Sequence, residues 1–115
     1  MPITIKNETE QKKRKRWSIQ QEKDIAKSMG GRLTPASGAK DVLADVRVPG
    51  EWRIEAKSTH NKSYRLTRDL FNDVAIAGSA SCERPAVMVR FLQGGKPVDD
   101  LVVIRYSDFK DLVDG

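Results

Sequence analysis

The chain has one cysteine, one histidine and few aromatics, which make up only 6% of its 115 residues. A lone cysteine, Cys82, excludes an intramolecular disulfide and any zinc site built from several thiolates; it reads as a small, partly buried residue. No stretch approaches the roughly 20 apolar residues that a membrane span needs. The basic N-terminal cluster is not followed by an apolar segment, so neither a secretory signal nor a membrane anchor is expected. The chain therefore reads as cytosolic. At this length there is room for one core, so a large substrate must bind on the surface. Internal repeats are also lacking.

What is present in excess is positive charge, and it is unevenly placed. The net charge is +5, of which residues 1–16 contribute +4, residues 17–98 another +4 and residues 99–115 a net −3. Lys12, Lys13, Arg14, Lys15 and Arg16 form an uninterrupted basic run without apolar periodicity. The expectation is a flexible basic arm over residues 1–16 that neutralises phosphates and releases their counterions. A single domain would occupy residues 17–115.

Periodicity and punctuation give the order of elements. Residues 17–29 read as a helix capped by Ser18 and stopped by Gly30-Gly31. A Gly/Pro/Ser/Thr-rich loop follows, with a brief strand at residues 32–34. Residues 40–59 alternate apolar and polar on both sides of Pro49-Gly50, the pattern of a β-hairpin. Residues 65–79 carry Leu66, Leu70, Val74 and Ala77 at helical spacing, with Phe71 off that stripe and open to a dimer contact. Residues 85–92 and 101–105 read as strands joined at Gly94-Gly95, and residues 107–113 as a helix capped by Ser107. This order implies an α/β domain with a mixed central sheet flanked by helices.

The hairpin carries the chemistry. A three-residue loop at Pro49, Gly50 and Glu51 pairs Val48 with Trp52 and Val46 with Ile54, gathering four apolar side chains on one face. The same register sets Asp45 opposite Glu55 on the polar face, with Arg47, Arg53 and Lys57 beside them. Opposed carboxylates are destabilising unless a cation lies between them. Mg²⁺ suits that position, because it takes hard oxygen donors such as these carboxylates, the Ala56 carbonyl and a DNA phosphate. Lys57 points the same way and is placed to orient an attacking water or to stabilise charge on the phosphate. Glu22 on the first helix is a candidate third carboxylate, and Ser37 on the loop a candidate contact to phosphate. Arg32, Lys40, Lys62 and Arg65 join the arm and the hairpin arginines as candidate DNA contacts, with Tyr64 available to stack or pack. His60 lies just beyond this strand, within reach of DNA but read as an exposed strand-end residue, and Trp17 and Trp52 read as packing residues.

Asp45 followed by Glu55-Ala56-Lys57 on adjoining strands resembles the motif of the PD-(D/E)XK nuclease superfamily. The resemblance spans residues 22–92. With helical Glu22 and the loop TPASGAKD, it is most similar to the archaeal-type Holliday-junction resolvases, also found in phages. It implies a restriction-endonuclease-like core and a homodimer acting on four-way junction DNA by paired symmetric nicks. It further implies Mg²⁺ or Mn²⁺ on Glu22, Asp45 and Glu55, with Lys57 assisting and Ser37 helping the loop act on DNA. Ala44 stands where the motif has proline, a position that needs only an extended backbone. Asp41, four residues before Asp45, is the competing candidate for the metal-binding aspartate.

Overall fold

The computed structural model describes residues 9–33 and 46–115. Helix α1 (Glu10–Met29) starts where Thr9, in extended conformation, accepts the backbone N–H of Lys12 on its hydroxyl at 3.1 Å. Glu10 in the first turn suits the positive end of the helix dipole. The helix thus begins at Glu10 rather than Trp17, and Ser18 lies inside it rather than at its cap. Residues 10–16, expected in a flexible arm, form its first two turns. Lys, Arg and Gln are good helix formers even without an apolar stripe, and a hydroxyl cap supplies the missing start. Gly30, at φ +66°, closes the helix in the left-handed region, as expected from its position.

Among the described residues there are five strands, β1 (Arg32–Leu33), β2 (Val46–Val48), β3 (Trp52–Thr59), β4 (Arg84–Gln93) and β5 (Lys96–Ile104), arranged in that order across one sheet. All neighbours are antiparallel except β3 and β4, which are parallel. A parallel pair needs a crossover, and α2 (Arg68–Ser79) provides it. The fold is therefore α/β, with a mixed sheet and three helices among the described residues. The expected hairpin register is observed: Val46 pairs with Ile54 and Val48 with Trp52, around a turn in which the Glu51 N–H donates to Val48 O.

The sheet has an apolar layer on each face. Ile25 from α1 packs with Val46, Ile54, Ala56, Ala86 and Met88, and Val48 and Trp52 join from the hairpin. On the other face Val74 from α2 meets Val87 and Val89, with Tyr64, Leu66 and Phe71 against them. Phe71, considered for a dimer contact, belongs to this intramolecular layer, whereas Ala77 is exposed. Helix α2 begins at Arg68 rather than residue 65, because the Thr67 hydroxyl accepts the Leu70 N–H at 3.1 Å and fixes the start there.

β5 is longer than residues 101–105. The two-residue turn at Gly94-Gly95, both at positive φ, pairs Gln93 with Lys96 directly and lets pairing run on through the polar residues. Pro97 is accommodated at an irregularity beside Phe91 and Leu92 on this edge strand. Helix α3 (Tyr106–Asp114) follows, with Arg105 at its cap and no side-chain capping bond, so Ser107 lies in its first turn. One correction concerns a smaller detail. Cys82 is exposed, not partly buried, and sits at φ +55° in the turn before β4. No helix is long and apolar enough to cross a membrane among the described residues.

Helix α2 meets the sheet through Gly78, where a Cβ would lie 2.7 Å from Glu83 O and 3.1 Å from Arg53 Cβ. Backbone cannot give way as a side-chain tip can. Gly78→Ala is expected to destabilise the fold by about 1–3 kcal/mol, reversing the ~1 kcal/mol that alanine gains elsewhere in a helix, as read by urea denaturation. An unchanged or raised midpoint would show that this contact relaxes freely.

Candidate active site

The polar face of the hairpin is organised by a residue that sequence reasoning missed. Arg47 and Arg53 are directly opposed in the β2–β3 register, an arrangement of like charges that costs stability unless compensated. Glu83, whose side chain has 0% exposure, compensates both. Its Oε1 accepts from Arg53 Nε at 2.9 Å, and its Oε2 from Arg47 Nη2 at 2.7 Å and the Gly50 N–H at 3.1 Å. Arg47 Nε donates to both carboxylate oxygens at 3.1 Å. A lone glutamate before a strand gives no pattern from which this role can be read.

The two arginines are therefore engaged in holding the hairpin to the start of β4. Arg53, with a side chain only 12% exposed, presents little surface to a phosphate. Arg32 is exposed on β1, paired with Arg47 in the register, and Lys62 and Arg65 are exposed between β3 and α2. Lys12 to Arg16 lie on α1, where successive residues are turned by 100° and so cannot all face one DNA backbone.

Glu55 and Lys57 share the α2 face of β3. Glu55 is 5% exposed, and Lys57 Nζ lies 3.6 Å from its Oε2. Tyr64 is close enough to feel this carboxylate: burial, and then the Glu55 charge, push its phenol above the usual range, so it stays protonated. The backbone at Lys57 is pinned from the opposite face. Fully buried Gln21 donates from Nε2 to Lys57 O at 2.8 Å and Met88 O at 3.2 Å, tying α1 to β3 and β4. Gln21 lies four residues before Ile25 on the inward side of α1, within the helix expected over residues 17–29, but a single glutamine gives no pattern that marks it as buried.

Glu22, next to Gln21, is half-buried on α1. Ala56, whose carbonyl is the remaining candidate donor, is buried with its methyl in the α1-side core. Ser37, Lys40, Asp41 and Asp45 lie outside the described residues. The last described pair of β2 with β3 is Val46 with Ile54, so from Glu55 to Thr59 the described neighbour of β3 is β4 alone. Among the described residues no group of three His, Cys, Asp or Glu converges on one point. A full carboxylate set around Glu55 would thus draw on the segment that contains Asp41 and Asp45.

Comparison with protein-family models, curated proteins and solved structures finds no match.

The Glu83 cluster has a pH signature. Hydrogen bonds from Arg47 first, then from Arg53 and the Gly50 N–H, lower the Glu83 pKa from 4.5 to about 2 against the opposing effect of burial. The unfolded chain then binds this proton more tightly than the folded one. The contribution is complete above pH 4.5 and is lost as pH falls toward about 2. Glu83→Gln is expected to lower stability at pH 7 by about 2–4 kcal/mol, and its deficit should shrink between pH 4.5 and 2. Parallel wild-type and variant curves across that window in urea melts would exclude the cluster as the source.

Proposed function

We propose that the protein is a Mg²⁺- or Mn²⁺-dependent, structure-selective DNA endonuclease that resolves four-way junctions as a homodimer by paired nicks. The observation that carries this reading is the nearly buried Glu55 with the Lys57 ammonium 3.6 Å away on one face of β3. The element order supports it: a helix carrying Glu22, a hairpin whose second strand carries Glu55-Ala56-Lys57, a crossover helix and a parallel strand. A restriction-endonuclease-like core is the fold we infer from that order.

The donors suit a hard cation. Glu22, Asp45, Glu55 and the Ala56 carbonyl are all oxygen ligands and would hold it. When bound, such an ion supplies Lewis-acid stabilisation of phosphate charge. Lys57 carries three N–H donors on a side chain 23% exposed; it orients the attacking water and neutralises charge that builds on the phosphate. Tyr64, kept protonated, keeps a donor beside Glu55. Of the α1 cations, Lys12 and Lys15, which share one side of the helix, hold the phosphate backbone.

Exposed apolar surface on β5 and α3 supports the homodimer. Val98, Leu101, Val102, Tyr106, Phe109, Leu112 and Val113 are all exposed, and α3 has no buried residue. Patches of this kind mark association surfaces. A second reading, a non-catalytic nucleic-acid-binding protein, is favoured by Lys57 itself, whose ammonium already balances Glu55 without a cation.

Labelled four-way junction, duplex and flap DNA distinguish these readings. Wild type is expected to nick the junction in Mg²⁺ but not in EDTA, with the two nicks coupled. Glu55→Ala and Lys57→Ala should each lower the single-turnover rate at least about 100-fold while leaving junction affinity within a few-fold. Uncoupled single nicks would remove the dimer, preference for a flap would remove the junction, and binding without cutting in any metal would leave the second reading.

A further inference from the structure

Beyond the Glu55–Lys57 pair, β3 runs into a polar cleft of about 610 Å³. Among the described residues its walls are Glu10, Arg14 and Trp17 from α1, Ser58 and Thr59 from the end of β3, and His60 and Asn61 just beyond it. The cleft lies at the carboxyl end of β3, which runs parallel to β4, the end of a parallel strand at which α/β sheets commonly take ligands. Its size falls within the range of small-molecule sites, about 300–1,000 Å³.

The chemistry of the walls is selective. Trp17 and His60 have ring centroids 4.3 Å apart and planes inclined by 57°, so they form a wedge rather than a closed stack. The Gly94-Gly95 turn also approaches the indole, where a Cβ at Gly95 would lie 3.4 Å from Trp17 Nε1. A fixed, half-buried indole beside an exposed imidazole is a platform for a flat aromatic ligand. Arg14, one helical turn before Trp17 and exposed, brings a cation to the same cleft. The Ser58 and Thr59 hydroxyls and the Asn61 amide add donors and acceptors. Glu10 is the opposing charge at this site, and Lys13 Nζ lies 3.8 Å from its carboxylate.

An aromatic platform, a cation and amide or hydroxyl groups together fit a nucleotide. We propose that this cleft is a subsite for one unpaired nucleotide of a DNA strand, its base against Trp17 and His60 and its phosphate on Arg14. The choice of a strand over a free nucleotide rests on the nuclease reading above. His60 is three residues beyond Lys57, about 10 Å along the chain, and because the cleft opens on the α1 side while Lys57 points to the α2 side, a DNA strand reaches both by passing around the carboxyl end of β3. A base drawn out of pairing here is available at a branch point and not within intact duplex.

The test is a fluorescence titration in EDTA with Trp52→Phe, which leaves Trp17 as the only indole. The probes are 5′-phosphorylated (dT)₄, 5′-dTMP and a blunt duplex. Saturable quenching by (dT)₄ is expected, with affinity at least about tenfold above that for dTMP or duplex. His60→Ala and Arg14→Gln, both exposed and so not expected to affect folding, should each weaken (dT)₄ binding about tenfold. Absent quenching, equal affinity for the three probes, or unchanged affinity in both variants would overturn the subsite. Because EDTA excludes cleavage, quenching by a protein that fails to cut junctions would keep the subsite and remove the nuclease, and cutting without quenching would do the reverse.

Discussion

The structure turns on the Glu83 carboxylate. The apolar face of the hairpin requires Val46, Val48, Trp52 and Ile54 on one side. The pleat then leaves no choice about the other side, and Arg47 and Arg53 meet head-on. An anion must lie between them. It comes from the first turn before β4, so that one carboxylate joins β2, the hairpin turn at Gly50, β3 and the entry to β4. Gly78 is part of the same constraint, since α2 can leave its end beside Glu83 only without a side chain. The Glu83 backbone N–H closes the arrangement by donating to Gly78 O at 2.9 Å.

A second ion cluster does the same on the α1 face. Arg90 is 6% exposed on β4, with Nη1 2.7 Å from Asp24 of α1 and Nε 2.9 Å from Asp100 of β5. These hydrogen bonds, that of Asp100 foremost, raise the Arg90 pKa, and the Arg90 bond lowers that of Asp24. In both clusters an inward arginine is matched with carboxylates from different elements. Truncating one partner of such a group leaves an uncompensated charge, which is why they act as constraints on register more than as sources of stability.

What was legible in the sequence follows from where the apolar pattern was strict. The hairpin register was readable to the residue, because Pro49-Gly50 fixes the turn and a one-residue slip would put Val46 and Ile54 in water. β4 was readable as a buried strand, because PAVMVRFL is nearly continuous and both faces are covered. The start of α1 was not, since a helix continued by Lys and Arg beyond its packed part has no apolar period, and its cap at Thr9 lies outside the stripe. The extent of β5 was not, since Lys96, Pro97, Asp99 and Asp100 break the apolar pattern around Val98 and only pairing across the Gly94-Gly95 turn makes the segment a strand. Of the candidate site, Glu55 and Lys57 were legible from strand alternation, whereas Glu83 and Gln21 become meaningful only through contacts 30 or more residues away.

The same geometry separates two kinds of positive charge that the sequence shows as one. Arg47, Arg53 and Arg90 are bound to carboxylates, and their forked guanidinium groups suit that buried, multidentate work. The flexible, strongly hydrated lysines are concentrated on α1 and at the end of β3. A helix, unlike an arm, fixes the bearing of each of those cations. Lys12 and Lys15 fall on one side, while Arg14 and Trp17, three apart, turn together toward the cleft that His60 completes. Gln21, one further turn along, anchors that helix to the backbone of Lys57. The cleft and the Glu55–Lys57 pair are thus set at a fixed separation by one helix and one strand.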